Sequence, residues 1–332
     1  MNGATVCLEN IFLHVTKACN LRCAYCYFSA SMPMPDELTT TQFASLWPQI
    51  VAIRPVKVVF TGGEPLLRHD LLNMLRGLQE ADREHRVLRC LNTNGRLVTP
   101  QFARQIVGLV DDIRVSLDAM RKRNDTLRGE GNFDDALHAL DCFQAAGFEP
   151  KVLVTVTSLS LPDLGELLRF LVQRRITRVG LNGFRPIGRG ARYHEWTVTL
   201  EELQPALQQV WSACFPDQSI PIARYGTDCQ SHCGVGHFLN IMPNGDVFPC
   251  HVLTQPEFRC GNIREQGLHE ICRRNGLLGD LSKLDFKELA KMDGRLQGLT
   301  RPGECMGTVY AKTKSSFVWQ ERLQMLTVTN NL

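Results

Sequence analysis

Cys19-Asn20-Leu21-Arg22-Cys23-Ala24-Tyr25-Cys26 sets three thiols at the spacing C-x3-C-x2-C. Thiolates this close together suit iron–sulfur or zinc ligation. A closed structural site normally takes four protein ligands. Three thiolates on a four-iron cluster leave one iron for an exchangeable ligand, and such an open corner is where chemistry can start. A zinc knuckle that only ties a loop together is the plain alternative for three cysteines taken alone.

The loop needs a scaffold, and the apolar run 11–15 just before it reads as a strand. A β-branched run at 56–60 leads straight into Thr61-Gly62-Gly63-Glu64-Pro65, and a helical pattern follows over 70–84. Glycines at a strand's C-terminal end let the backbone approach a ligand closely. A third strand, 87–91, ends in Asn92-Thr93-Asn94-Gly95, before a helix over 100–109. Residues 112–118 form a fourth strand ending in Ser116-Leu117-Asp118, and 124–131 then carries Leu127-Arg128-Gly129. An amphipathic helix over 133–146 stops at Gly147. Strands at 151–157 and 177–182 flank a helix over 162–174, and a last helix, capped at Thr199, runs to 214. Alternating strand–helix units of this spacing predict an α/β fold with parallel crossovers. The chemically suggestive segments all sit at C-terminal strand ends, where a parallel barrel places its active site.

The cysteine loop, with the aromatic Tyr25 before its last cysteine, resembles the signature of the radical S-adenosylmethionine (SAM) superfamily. The resemblance implies a partial (β/α)6 TIM-like barrel and a [4Fe–4S] cluster on Cys19, Cys23 and Cys26. It implies that SAM chelates the open iron and is reductively cleaved to a 5′-deoxyadenosyl radical, which takes a hydrogen atom from the substrate. By the same resemblance, Gly62, Gly63 and Glu64 hold the SAM amino group, Asn94 lies in the family's Thr-Asn-Gly turn, and Tyr25 belongs to the cofactor site. Ser116 and Asp118 stand near the ribose and carboxylate, and Arg128 contacts the carboxylate. The loop 182–190, rich in glycine and arginine, frames the substrate mouth, where its arginines can hold an anion.

The composition is compatible. The chain has 332 residues, enough for one barrel and a small appendage, with 37 basic against 34 acidic residues and a net charge of +3. That balance carries no nucleic-acid footprint. No apolar run is long enough for a membrane span, and the first residues lack the pattern of a signal peptide. Thirteen cysteines without an export signal point to a cytoplasmic, reducing setting and to metal ligation rather than disulfides. Cys90 and Cys142 stand apart and read as small core residues.

A second cysteine group starts at Cys229. Cys229-x3-Cys233 precedes a strand-like run 238–242, the turn Pro243-Asn244-Gly245-Asp246 and Cys250. This resembles the opening of the SPASM and twitch domains, which hold auxiliary four-iron clusters. Residues 273–304 contain no cysteine, so the positions of a second auxiliary cluster are missing. The resemblance therefore implies one auxiliary [4Fe–4S] cluster on Cys229, Cys233, Cys250 and Cys305, with Cys260 the rival fourth ligand. A zinc ribbon is the plain alternative. The expected division is a barrel over 1–214, a linker over 215–222, a SPASM/twitch-like domain over 223–311 and a polar tail over 312–332.

The implied function is a radical SAM oxidoreductase that modifies a ribosomally made peptide by crosslinking, oxidation or epimerisation. For epimerisation, Cys260 and Cys272 are the candidate hydrogen donors. The implied partners are a flavodoxin- or ferredoxin-like reductant and, because the barrel starts near residue 11, a separate leader-binding protein. A small-molecule or cofactor precursor, such as a sugar, tetrapyrrole or pterin, is the second reading. The molybdenum-cofactor cyclase is disfavoured for lack of its C-x2-C-x13-C spacing. A zinc-binding scaffold is the non-enzymatic alternative.

Overall fold

The computed structural model describes residues 8–214, 235, 237–273 and 278–279. Six parallel strands run in sequence order: β1 (Asn10–Thr16), β2 (Lys57–Gly62), β3 (Leu88–Thr93), β4 (Asp112–Ser116), β5 (Lys151–Val156) and β6 (Arg178–Gly183). The crossovers carry α1 (Thr40–Ile53), α2 (Leu71–Ala81), α3 (Pro100–Gln105), α4 (Arg121–Arg128), α5 (Asn132–Ala145) and α6 (Leu164–Gln173), and α7 (Leu200–Cys214) follows β6. This is the α/β, TIM-like half of the expected architecture.

Local chemistry starts these helices. Thr39 and Gln42 form a reciprocal capping box on α1, and Thr199 and Glu202 do the same for α7. Thr99 caps α3, with Pro100 at its first position. The eight-residue α4 was not legible as a helix, because RKRNDTLR offers no apolar stripe.

Strand alternation divides the sheet into two faces. Ile11, Leu13, Val15, Val58, Phe60, Leu91, Ile113, Val115, Val152 and Val154 join the core between sheet and helices. The opposite face, pointing into the barrel, carries His14, Thr61, Cys90, Asn92, Arg114, Ser116 and Thr155. Cys142 lies in the apolar core as expected from its surroundings. Cys90 is buried as well, on the interior face of β3, where its thiol receives Arg114 Nη2 at 3.4 Å.

The C-terminal segment extends this sheet. Its strands are β7 (Phe238–Ile241), β8 (Asp246–Phe248) and β9 (Gly261–Asn262), followed by the short α8 (Leu268–Ile271). β7 lies parallel to β1, from Asn10↔Phe238 to Leu13↔Ile241, and the hairpin through β8 and β9 is antiparallel. The strand order is β6-β5-β4-β3-β2-β1-β7-β8-β9. The hairpin therefore shares the barrel's sheet across the expected linker, which itself lies outside the described residues, as does the tail. Among the described residues no helix is long and apolar enough to cross a membrane.

Candidate active site

The cysteine loop leaves β1 at a bulge. His14 pairs with Thr61 and Thr16 with Gly62, so Val15 is the extra residue. The loop is then fixed by backbone bonds: Cys19 N–H to Ser31 O at 2.9 Å, Ser31 N–H to Lys17 O at 3.0 Å, and Cys26 N–H to Cys23 O at 3.2 Å. Glu37 reinforces the base of the loop, accepting from Lys17 N–H at 2.7 Å and Met34 N–H at 3.0 Å. Cys19, Cys23 and Cys26 are free thiols, none of them fully buried.

Three other strand ends clamp this loop. From β2, Gly63 N–H donates to Thr16 O and Glu64 N–H to Ala18 O, both at 2.8 Å. A Cβ at Gly63 would stand 1.9 Å from Ala18 O, and one at Gly62, whose φ is +128°, 2.4 Å from Thr16 O. What these glycines admit at close range is the backbone of the cysteine loop itself. From the segment after β4, Leu127 O accepts Ala24 N–H at 2.9 Å. From the loop after β6, Arg189 reaches Cys23 O with Nε at 2.9 Å and Ala30 O with Nη1 at 2.6 Å, while its backbone N–H bonds Cys26 O. Gly188 permits this approach, since a Cβ there would lie 2.3 Å from Tyr27 O. The sequence reading assigned such an arginine to an anionic substrate group; Arg189 instead spends its guanidinium on loop carbonyls.

Two buried carboxylates brace the site. Glu64, fully buried, accepts from Thr93 Oγ1 and Asn94 N–H at 2.8 Å and from Leu66 N–H at 3.2 Å. Burial raises its pKa to about 7 against these donors. It thus ties the glycine segment to the turn after β3. Asn94 Nδ2 then bonds Asn20 Oδ1 at 2.8 Å inside the cysteine loop. Asp118, also fully buried, accepts Arg128 Nε at 2.6 Å and Nη2 at 3.0 Å, Thr155 N–H at 2.7 Å, and the Tyr25 hydroxyl. Four donors saturate its lone pairs. Through these bonds both carboxylates position Tyr25, Arg128 and the two loops. Arg128 lies over the Tyr25 ring at 5.5 Å. Burial opposes its charge, but Asp118, Tyr25 and Cys23 together outweigh burial and hold the guanidinium above its ordinary pKa. Ser116 ends β4 on the interior face.

Among the described residues no three ligating side chains converge on a single metal ion, and the three thiols of this loop suit, by their chemistry, the wider spacing of a cluster open at one corner. Burial raises the Cys19 thiol and pushes Cys23 up to about 11, with Arg128 pulling Cys23 the other way. Such thiols stay protonated until a metal displaces the proton, and Arg128 is the cation placed to favour the thiolate. Three thiols on one braced loop supply three of the four corners of a four-iron cube.

Of the second cysteine group, Cys229, Cys233 and Cys305 lie outside the described residues. Cys250 is buried just beyond β8, its Sγ accepting Val252 and Leu253 N–H at 3.4 and 3.3 Å. Cys260 and Cys272 are neighbours in the apolar layer under α1 and α8, each pushed up to about 12 by burial. That layer is the helix side of the sheet. Cys272 belongs to that core cluster and Cys260 packs against it. Between the cysteine loop and the β7–β8 hairpin lies a cavity of ≈ 270 Å³ lined by Lys17, Tyr27, Phe28, Met242, Asp246 and His251 among others.

Comparison with known proteins bears on both cysteine groups. The family model described as Radical SAM superfamily matches residues 13–180, and the iron–sulfur cluster-binding SPASM domain matches 229–292. The chain is 30% identical over 290 residues to mycofactocin maturase MftC of Mycolicibacterium smegmatis, covering 80% of this chain and 69% of that protein. It is 28% identical over 306 residues to the AdoMet-dependent heme synthase of Oleidesulfovibrio alaskensis, covering 82% and 76%. Among solved structures, anSMEcpe with bound AdoMet superposes with a TM-score of 0.68 at 17% identity, covering 98% of this chain and 100% of that one. Streptococcus suis SuiB bound to precursor peptide SuiA gives 0.69 at 17% identity, covering 85% and 68%.

Proposed function

The chain belongs to the radical SAM superfamily, with a SPASM iron–sulfur domain after the barrel, and from that premise we propose that it matures a ribosomally made peptide. It is an enzyme whose cofactors are S-adenosylmethionine and [4Fe–4S] clusters. When bound, these supply the one-electron cleavage and the hydrogen-abstracting species; the rest falls to the chain's own residues. Cys19, Cys23 and Cys26 hold the first cluster and leave its fourth corner to SAM. Gly62, Gly63, Asn94 and Ser116 line the cosubstrate's side of the mouth. Arg128, fixed by Asp118, offers the positive charge for its carboxylate. Tyr25, pinned by the same carboxylate, closes one wall of the site and helps exclude water.

Cys229, Cys233 and Cys250, with Cys305 or Cys260 as the fourth, hold one auxiliary cluster. Cys305 is favoured, because Cys260, half-buried, packs beside Cys272 against the apolar layer. The barrel is assigned to 1–214 and the auxiliary domain to 223–311. A flavodoxin- or ferredoxin-like protein delivers the electron, and a separate protein presents the peptide leader.

The observation that carries the peptide reading is the similarity to the mycofactocin maturases along four-fifths of the chain. The test is mass spectrometry of a candidate precursor peptide co-expressed with this protein. Loss of two hydrogens indicates crosslinking or desaturation, and unchanged mass with deuterium taken from solvent indicates epimerisation. A peptide unaltered in both respects refutes the reading. The similarity to heme synthases favours a tetrapyrrole as the second reading, and an iron-coproporphyrin consumed in the same assay would establish it.

A further inference from the structure

Two neighbouring side chains inside the barrel hold polar atoms that the protein leaves unbonded. His14 on β1 and Asn240 on β7 face the interior, because Leu13, Val15, Leu239 and Ile241 take the helix side. Both are fully buried. His14 Nε2 lies 3.3 Å from Asn240 Oδ1. An amide oxygen only accepts, so Nε2 carries the proton and Nδ1 is left a bare acceptor. That Nδ1 and Asn240 Nδ2, a donor, are both buried without a protein partner. Buried polar atoms are nearly always bonded, so two orphans on adjacent residues mark where another group belongs.

Charge narrows what that group is. Burial pushes the His14 pKa down to about 4, so the imidazole is neutral at physiological pH. Arg114, next to Asn92 in register, directs its guanidinium to Asp112 at 2.6 Å and to Cys90. A neutral acceptor beside a neutral donor suits an amide. A carboxylate would find one donor and a repelling lone pair, and an ammonium would find one acceptor. Phe28 packs on His14 with ring centroids 4.6 Å apart and also lines the cavity between the cysteine loop and the hairpin, so one ring separates the pair from that cavity.

We propose that His14 and Asn240 form a neutral seat for a substrate amide, whose N–H bonds His14 Nδ1 and whose carbonyl accepts from Asn240 Nδ2. The seat rests on the peptide reading for the origin of that amide, but it is testable without any natural substrate. The probe is N-acetylalanine N-methylamide, with N-acetylalanine as its anionic counterpart, titrated into the full-length, cluster-loaded protein and followed by ligand-observed NMR. Binding of the diamide at least about tenfold tighter than that of the acid, and weakened about tenfold by Asn240→Leu, supports the seat. Equal binding of the two probes, no binding of the diamide, or a diamide affinity untouched by Asn240→Leu overturns it. Should the variant fail to fold, a crystal of the parent protein soaked in the diamide decides. An amide on Nδ1 and Nδ2 supports the proposal, and a fixed water there with the diamide absent overturns it. The peptide reading fails by a different result, an unmodified co-expressed peptide.

Discussion

Asp118→Asn tests whether the buried carboxylate organises the mouth of the barrel. In the parent protein Asp118 takes two bonds from Arg128, one from Thr155 N–H and one from the Tyr25 hydroxyl, and no solvent touches it. The substitution keeps the shape but removes the charge, and its amide hydrogens face existing donors. Arg128, with 7% of its side chain exposed, becomes a buried cation without a counter-ion. Breaking one partner of a buried pair costs about 3–5 kcal/mol, which for a chain of this size lowers Tm by roughly 4–7 °C. Urea unfolding of the anaerobically reconstituted protein measures the free energy, and iron analysis measures the first cluster, since Tyr25 lies between Cys23 and Cys26. Asp118→Asn combined with Arg128→Met should recover much of the loss, because the uncompensated charge is gone while the amide still bonds Thr155 N–H and the Tyr25 hydroxyl. A single variant within about 1 kcal/mol of the parent, beyond which such a loss would be plain, would refute the reasoning.

Three further substitutions probe the loop clamps. Gly63→Ala puts a methyl 1.9 Å from Ala18 O and should prevent iron loading at the first cluster, whereas Gly267→Ala, whose methyl meets Gln49 Oε1 at an ordinary 3.4 Å, should leave loading intact; iron content after reconstitution compares them. Arg189→Ala removes two side-chain bonds to Cys23 O and Ala30 O and should cost about 1–3 kcal/mol, read as faster iron release to a chelator. Glu64 has a folded pKa near 7, above its ordinary value of 4.5. The folded state therefore holds a proton that the unfolded chain has lost, and stability from this group falls as pH rises from 4.5 to 7. Unfolding curves across that window should show a decline in the parent that is absent in Glu64→Gln; parallel curves would exclude the effect.

The strands and the motifs at their ends were legible, because each rests on local pattern: β-branched runs, glycines after a strand, a turn of asparagine and glycine. The braces between them were not. Arg189 clasps a loop 166 positions earlier in the chain, and nothing in its own neighbourhood announces that. Asp118 carried the right signal, a carboxylate at a strand end, but its four donors come from three different elements, so its burial emerged only on folding. The sidedness of Cys260 and Cys272 depends on β7 joining β1 in parallel, a non-local pairing that no window of sequence contains. His14 read as one residue of an apolar strand; its interior position in a bulged β1 is what makes it chemically distinct.

Everything else depends on the proposed cluster on Cys19, Cys23 and Cys26, with one corner left for SAM. The direct measurement is anaerobic reconstitution followed by reduction in the presence of SAM, with iron counted and 5′-deoxyadenosine quantified. The parent protein should bind about eight irons in two four-iron clusters and release 5′-deoxyadenosine, while Cys23→Ala should lose the first cluster and all of that product. A colourless, zinc-loaded protein that leaves SAM intact would contradict the account.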